Sequence, residues 1–277
     1  RVLIFGSVFG VLRYAISGFF LGIGRTRVVM IANLAGMLVN IPANYALIYG
    51  RLGFPALGLT GAALGTILGS FTMVVILIAF YLRPANRRDF ATHRSFRLNG
   101  QTMRILLRFG APAGLEMFLN IAAFNLFVQF MHSYGPAVAA AVTIAFNWDM
   151  VAFIPMLGMG FAVTSLIGQF VGARDYATAK KAAYLSLRVA WVYSGCMVLI
   201  FVAATRALVG TFASGFGEQG PQITRLAATL VRLAALYILA DSAQIVFAGA
   251  LRGAGDTRWV MYMSVGLHWI FSILAVV

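Results

Sequence analysis

The sequence predicts an all-α integral membrane protein, folded as a polytopic helical bundle. Three observations predict it. Of the 277 residues, 61% are hydrophobic and only 10% are charged, where a soluble domain carries about 25% charged residues. Mean hydropathy is +0.90, so the solvent that fits is a bilayer. The apolar residues also come in runs of about 20 or more, the length a spanning helix needs, rather than in the alternating segments of about 10 residues that build a barrel.

Eight runs qualify, over 2–22, 28–49, 59–82, 105–132, 137–168, 180–205, 224–251 and 258–277. The longest exceed the hydrocarbon thickness and imply tilt or interfacial ends. The gaps between runs alternate in charge. Arg25 and Arg27 fall in the first. Seven arginines, Arg83, Arg87, Arg88, Arg94, Arg97, Arg104 and Arg108, fall in or beside the third. Arg174, Lys180, Lys181 and Arg188 belong to the fifth, and Arg252 and Arg258 to the seventh. That is fifteen bases on alternate gaps, against Arg51, Arg206 and Arg225 on the others. The positive-inside rule then puts the odd gaps in the cytoplasm.

The same distribution excludes a nucleic-acid binder despite a net charge of +14. The bases punctuate apolar runs and form no basic stripe interleaved with aromatics. The single cysteine, Cys196, allows no internal disulfide and no cysteine metal site. His93, His132 and His268 lack ligand spacing, so no metal and no cofactor are expected, and His132 and His268 read as structural. There is no P-loop, zinc-protease motif or nucleophile elbow; the chain is not expected to be an enzyme. Arg1 opens straight into an apolar run and Ile273 to Val277 are still apolar, so the expectation is a piece of a longer protein.

An internal repeat organises the helices. GIGRTRVVM at 22–30 and GAGDTRWVM at 253–261 share six of nine positions at an offset of 231. Gly18 with Gly249 and Arg1 with Arg232 fit the same offset. Both copies join two runs on the cytoplasmic side, six runs apart. Same side and same direction describe a parallel repeat about the membrane normal, a two-lobe six-plus-six arrangement common among transporters. The expected division is 1–83 as the end of an N-terminal lobe with three helices, 84–104 as a cytoplasmic linker, and 105–277 as most of a C-terminal lobe with five.

Of the seven acids, Asp89, Asp175, Glu218 and Asp256 fall in gaps, while Glu116, Asp149 and Asp241 fall inside runs. An ionised acid at a helix centre costs about 2.5–3.5 kcal/mol on insertion scales. Three such acids point to an ion or proton site on an internal cavity, because protonation or Na⁺ binding can switch a buried carboxylate. The plainer alternative is an acid near a helix end, or one paired with Arg13 or Arg232. Polar neighbours complete the candidate cavity: Asn120, one turn from Glu116; Asn147, beside Asp149; and Gln244, three residues from Asp241. Each amide serves equally well as an interhelical hydrogen bond. Pro112, Pro155 and Pro42 lie inside runs, the first near Glu116 and the second near Asp149, where a kink can serve a gate. GAALG at 61–65, extended to Gly69, carries overlapping small-residue spacings for close helix packing.

Four stretches resemble one family. GRTRVVMIANLAGMLVNIPANYALIYG (24–50) and LGFPALGLTGAALGT (52–66) are similar to its fourth-to-fifth helix connection and the following loop and helix start. GQFVGARDYATAKKAA (168–183) is similar to the loop after its eighth helix, and LADSAQIVFAGALRGAGDTR (239–258) to its tenth helix and exit loop. On these residues the chain resembles the multidrug and toxic compound extrusion (MATE) family, from about the fourth helix to the eleventh. The resemblance implies a monomeric antiporter in the bacterial inner membrane. It implies H⁺- or Na⁺-driven export of small organic cations by alternating access. Asp241 matches the family's tenth-helix acid. Glu116 lies on the seventh helix, where the family often has a carboxylate, with Asn120 at the more usual position. Two rivals stand beside it: a flippase for lipid-linked oligosaccharides or lipids in the same superfold, which would line its cavity with arginine for phosphate, and a membrane scaffold or receptor, which needs no acids in the bilayer.

Overall fold

The computed structural model describes residues 2–51, 53–90, 92, 99–213 and 219–274. Arg1, His93, Arg94, Arg97 and Glu218, all used above, lie outside the described residues. Ten helices and no strand occur among those described. They are α1 (Val2–Gly22), α2 (Thr26–Tyr49), α3 (Gly58–Tyr81), α4 (Pro84–Phe90), α5 (Gly100–Ser133), α6 (Pro136–Gly172), α7 (Tyr176–Ala203), α8 (Thr205–Ala213), α9 (Gly220–Gly253) and α10 (Thr257–Leu274). Each of the eight expected runs falls on a helix, with 275–277 of the last outside the described residues. Six of them (α2, α3, α5, α6, α7 and α9) are long and apolar enough to cross a membrane. A shorter apolar stretch, Gly6–Gly22, lies in α1.

The chain forms two compact units, 1–99 and 100–277. In the first, α3 packs on α2 and α1. Gly61, Gly65 and Gly69 face α2, where an added Cβ would collide with the Leu47 carbonyl, the Asn44 side chain and Asn40. The small-residue spacing therefore brings two backbones together, as the sequence suggests. In the second unit α9 lies against α6 and α7, and α5 pairs with α10. Glycine again sets the closest approach: a Cβ on Gly249 would sit 2.8 Å from the Gly160 carbonyl oxygen, and one on Gly253 would press on Thr164. Ile144, Ala152, Val231, Ala235 and Ile238 fill the core between α6 and α9.

The 84–104 stretch divides. Its first part is the short helix α4, held to the first unit, and Gly100 already begins α5. Asn86 donates from Nδ2 to the Phe80 carbonyl (2.7 Å) and accepts from Arg25 Nη1 (2.6 Å). Phe90 adds an edge contact with Phe19, with ring centroids 5.5 Å apart.

Three interhelix turns share one geometry. The residue at the helix exit is left-handed in each: Gly24 (φ 74°), Arg174 (φ 61°) and Gly255 (φ 90°). The next amide reaches back to close a Schellman turn. Arg25 donates to Phe20 O at 2.8 Å, Asp175 to Phe170 O at 2.9 Å and Asp256 to Leu251 O at 2.9 Å. Two of the three then cap the following helix with a carboxylate: Asp175 Oδ1 accepts from Thr178 N (3.0 Å) and Asp256 Oδ1 from Trp259 N (3.1 Å).

Candidate functional site

The α6–α9 contact places the candidate site. Ala145 and Ala152 of α6 are buried against α9. Asp149 lies four residues after the first and three before the second, so it shares their face. Small residues on both helices let the backbones approach. As a result Asp149 Oδ1 accepts a hydrogen bond from the Tyr237 hydroxyl of α9 at 2.7 Å. Asp241 is one turn beyond Tyr237 on the same face and is half-buried. Two carboxylates and a phenol therefore lie along the face where α6 meets α9. Neither aspartate carries an ion pair among the described residues.

Glu116 does not join this group. It is buried at 4% exposure, and its Oε1 accepts from Arg252 Nη2 at 2.6 Å. Arg252 lies eleven residues beyond Asp241, about 16 Å along α9 at 1.5 Å per residue. The expected cluster of three acids is thus a pair, with the third acid closed by its own cation. That cation is Arg252, rather than Arg13 or Arg232. Arg13 instead stacks over the Tyr14 ring at 4.6 Å. Glu116 Oε2 and Asn120 Oδ1, one turn apart on α5, are buried without a partner.

The amides take separate places. Asn120 Nδ2 donates to Ser264 Oγ of α10 (2.9 Å), an interhelical bond. Asn147 Nδ2 donates to the Thr143 carbonyl of its own helix (2.8 Å). Gln244 is exposed on α9. Trp148 turns to α8, with Nε1 donating to the Leu208 carbonyl (3.1 Å). Pro112 and Pro155 lie within α5 and α6, which continue through them; beside Pro155, the Tyr193 hydroxyl donates to the Ala152 carbonyl (3.1 Å). A cavity of about 280 Å³ opens at the α9–α10 turn between Arg108 and Arg258 and includes neither aspartate. Among the described residues no three histidine, cysteine or acidic side chains form a metal cluster.

Sequence reasoning missed Tyr237, which carried a signal, being one turn from Asp241. His268 of α10 is set by a bond within its own helix. The imidazole has a fixed orientation: Nδ1 is 2.8 Å from the Ser264 carbonyl. A carbonyl oxygen only accepts, so Nδ1 carries the hydrogen in the neutral and the charged ring alike. Chemically, the arrangement offers carboxylate and phenol oxygens to a cation.

Three comparisons bear on what this arrangement serves. The family model described as MatE matches residues 1–46 and 112–275. The chain is 30% identical over 254 residues to a "Probable multidrug resistance protein NorM" of Mannheimia succiniciproducens, covering 91% of this chain and 54% of that protein. The match to the protein of the same name from Pasteurella multocida has the same identity and coverage. The chain thus spans about half the length of these relatives. Its fold is similar to the crystal structure of MATE in complex with MaL6, with a TM-score of 0.84 at 22% identity over 100% of this chain and 62% of the other.

Proposed function

The chain belongs to the MatE family, and we propose that its full-length form is a secondary-active antiporter. In this reading it exports cationic, amphipathic drugs or toxic metabolites by alternating access, driven by H⁺ or Na⁺, from the bacterial inner membrane and as a monomer. One observation supports the reading: the Tyr237 hydroxyl of α9 hydrogen-bonds Asp149 of α6, Asp241 follows one turn after Tyr237, and neither aspartate has an ion pair among the described residues. Two carboxylates kept in a low-dielectric setting are expensive unless something positive visits them. An organic cation and a coupling ion are two such visitors, and exchange follows if they exclude each other. Multidrug naming of the half-matched relatives supports the same class. Asn120, Asn147 and Gln244 remain candidates for the wider cavity, and Pro112 and Pro155 for its gating.

The flippase alternative finds no support. The groups along this face are carboxylates and a phenol, which suit a cation rather than a phosphate.

The test is efflux of a fluorescent organic cation from cells expressing the full-length parent, wild type against Asp241→Asn, with H⁺ and Na⁺ gradients varied separately. Loss of efflux at unchanged membrane abundance supports the assignment, and the gradient that drives wild-type efflux names the ion. Undiminished efflux by the mutant sinks it.

A further inference from the structure

We propose that the cavity at the α9–α10 turn binds the phosphodiester of an anionic phospholipid, held between Arg108 of α5 and Arg258 of α10. Its lining includes none of Asp149, Tyr237 and Asp241, so the inference stands apart from the export reading.

The turn and α5 build the cavity together. Gly255 is left-handed (φ 90°), and a Cβ there would lie 3.7 Å from Phe109 Cε1. The Phe109 ring of α5 therefore rests against the bend. Arg108 follows it, with its guanidinium carbon 6.0 Å from the ring centroid, and forms one wall. Arg258 lines the cavity from the first turn of α10. Asp256 lines it too, but its Oδ1 accepts from Trp259 N and caps α10. Neither Arg108 nor Arg258 has an ion pair among the described residues, whereas Arg252, close by in α9, is engaged by Glu116. Two guanidiniums against one carboxylate leave the lining with a net positive charge, the complement of a phosphodiester's single negative one. A guanidinium also presents paired N–H donors that match phosphate oxygens.

Size and depth choose the lipid. The volume of about 280 Å³ falls just under the ~300–1,000 Å³ of sites for drug-sized ligands, so it suits a headgroup. At 34 residues, α5 runs about 51 Å, well beyond a hydrocarbon core of about 30 Å. Its basic start, with Arg104 and Arg108, is the end that reaches the headgroup layer. Trp259 and Tyr262 are exposed on α10 beside the cavity, as aromatic side chains are at a membrane interface. The positive-inside rule puts this end in the cytoplasm, where basic pockets between helices meet anionic headgroups. A headgroup seated there ties α5 to α10 at their shared end.

The experiment follows the thermal melt of the full-length parent protein in non-ionic detergent during titration with dihexanoyl phosphatidylglycerol. The wild type is expected to melt later as this lipid is added. It should respond far less to dihexanoyl phosphatidylcholine, whose choline offsets the phosphate charge. Arg108→Gln and Arg258→Gln should each raise the lipid concentration at half-shift roughly tenfold, the scale of one lost charged hydrogen bond. Arg104→Gln removes the same charge one turn earlier on α5, outside the cavity, and should leave the titration unchanged. An equal loss in Arg104→Gln reveals a diffuse basic face and overturns the site. No shift with phosphatidylglycerol, or an equal one with phosphatidylcholine, overturns it as well. Inorganic phosphate acting at the same concentrations as the lipid assigns the cavity to a free anion and overturns the lipid. Should a Gln variant melt early with no lipid present, Arg108→Lys and Arg258→Lys decide, since they keep the charge and lose the paired donors. A weakened titration from a wild-type starting melt then supports the clamp, and an unweakened one overturns it.

Discussion

Helix α9 meets acids in two places, and they are handled in opposite ways. Near its middle, Asp241 shares a face with Tyr237, which hydrogen-bonds Asp149, and among the described residues no arginine pairs with either aspartate. At its end, Arg252 seals Glu116, which is buried at 4% exposure. The first arrangement keeps its negative field available; the second cancels it on the spot. A carboxylate inside the bilayer is therefore not by itself a sign of ion coupling. The position of the nearest cation decides.

The largest expected effect breaks the closed pair. Arg252→Leu leaves a buried carboxylate alone and should lower stability by about 3–5 kcal/mol, read as an earlier thermal melt of the full-length protein in detergent. Glu116→Gln keeps a hydrogen-bond acceptor for Arg252 and should melt much closer to wild type. Equal losses in both variants would mean that packing, not charge, matters at Glu116.

Next comes the open pair. Asp241→Asn should reduce cation efflux by roughly tenfold or more, one step of about 1.4 kcal/mol or beyond, with the melting temperature little changed. A variant that unfolds instead would place Asp241 with Glu116, on the structural side of the comparison. Tyr237→Phe removes one hydrogen bond to Asp149 and should change probe affinity only a few-fold, about 1 kcal/mol. Its sign is informative: weaker binding means the hydroxyl itself helps hold the cation, and stronger binding means it competes for Asp149.

The smallest effect belongs to an acid outside the bilayer. Asp175 caps α7, and the hydrogen bonds from Thr178, side chain first and then backbone, hold its carboxyl below the usual range, with help from Lys181. A lowered value means the contribution is present above the unfolded carboxyl range, near 4, and is lost as pH falls through the folded value. Asp175→Asn should remove that shallow acid dependence from the melt and leave efflux untouched.

The sequence shows most of this architecture because length is what a bilayer demands. Eight apolar runs became eight helices, and the glycine spacing of 61–69 became a close helix contact. The short helices escaped. α4 is seven residues long with Arg87 and Arg88 in its last turn, and α8 is nine residues inside what reads as the tail of a run and a gap. Neither length carries a periodic signal. At the site, Asp149 and Asp241 stand out by type and place, but what each one touches depends on packing. Arg252 looks like a loop residue because the apolar run ends just before it, yet α9 continues to Gly253 and delivers the guanidinium to Glu116.

The repeated turn has a consequence of its own. Gly24 and Gly255 shape the same bend, but the next position holds Arg25 in one copy and Asp256 in the other. Asp256 caps its helix, whereas Arg25 makes no side-chain cap and grips Asn86, with Asp89 3.8 Å away. One duplicated joint has thus been left self-contained and the other rewired to anchor the start of the segment leading out of its unit. The molecule holds its own matched control: exchanging a single residue between the copies would swap an anchor for a cap while leaving both bends intact.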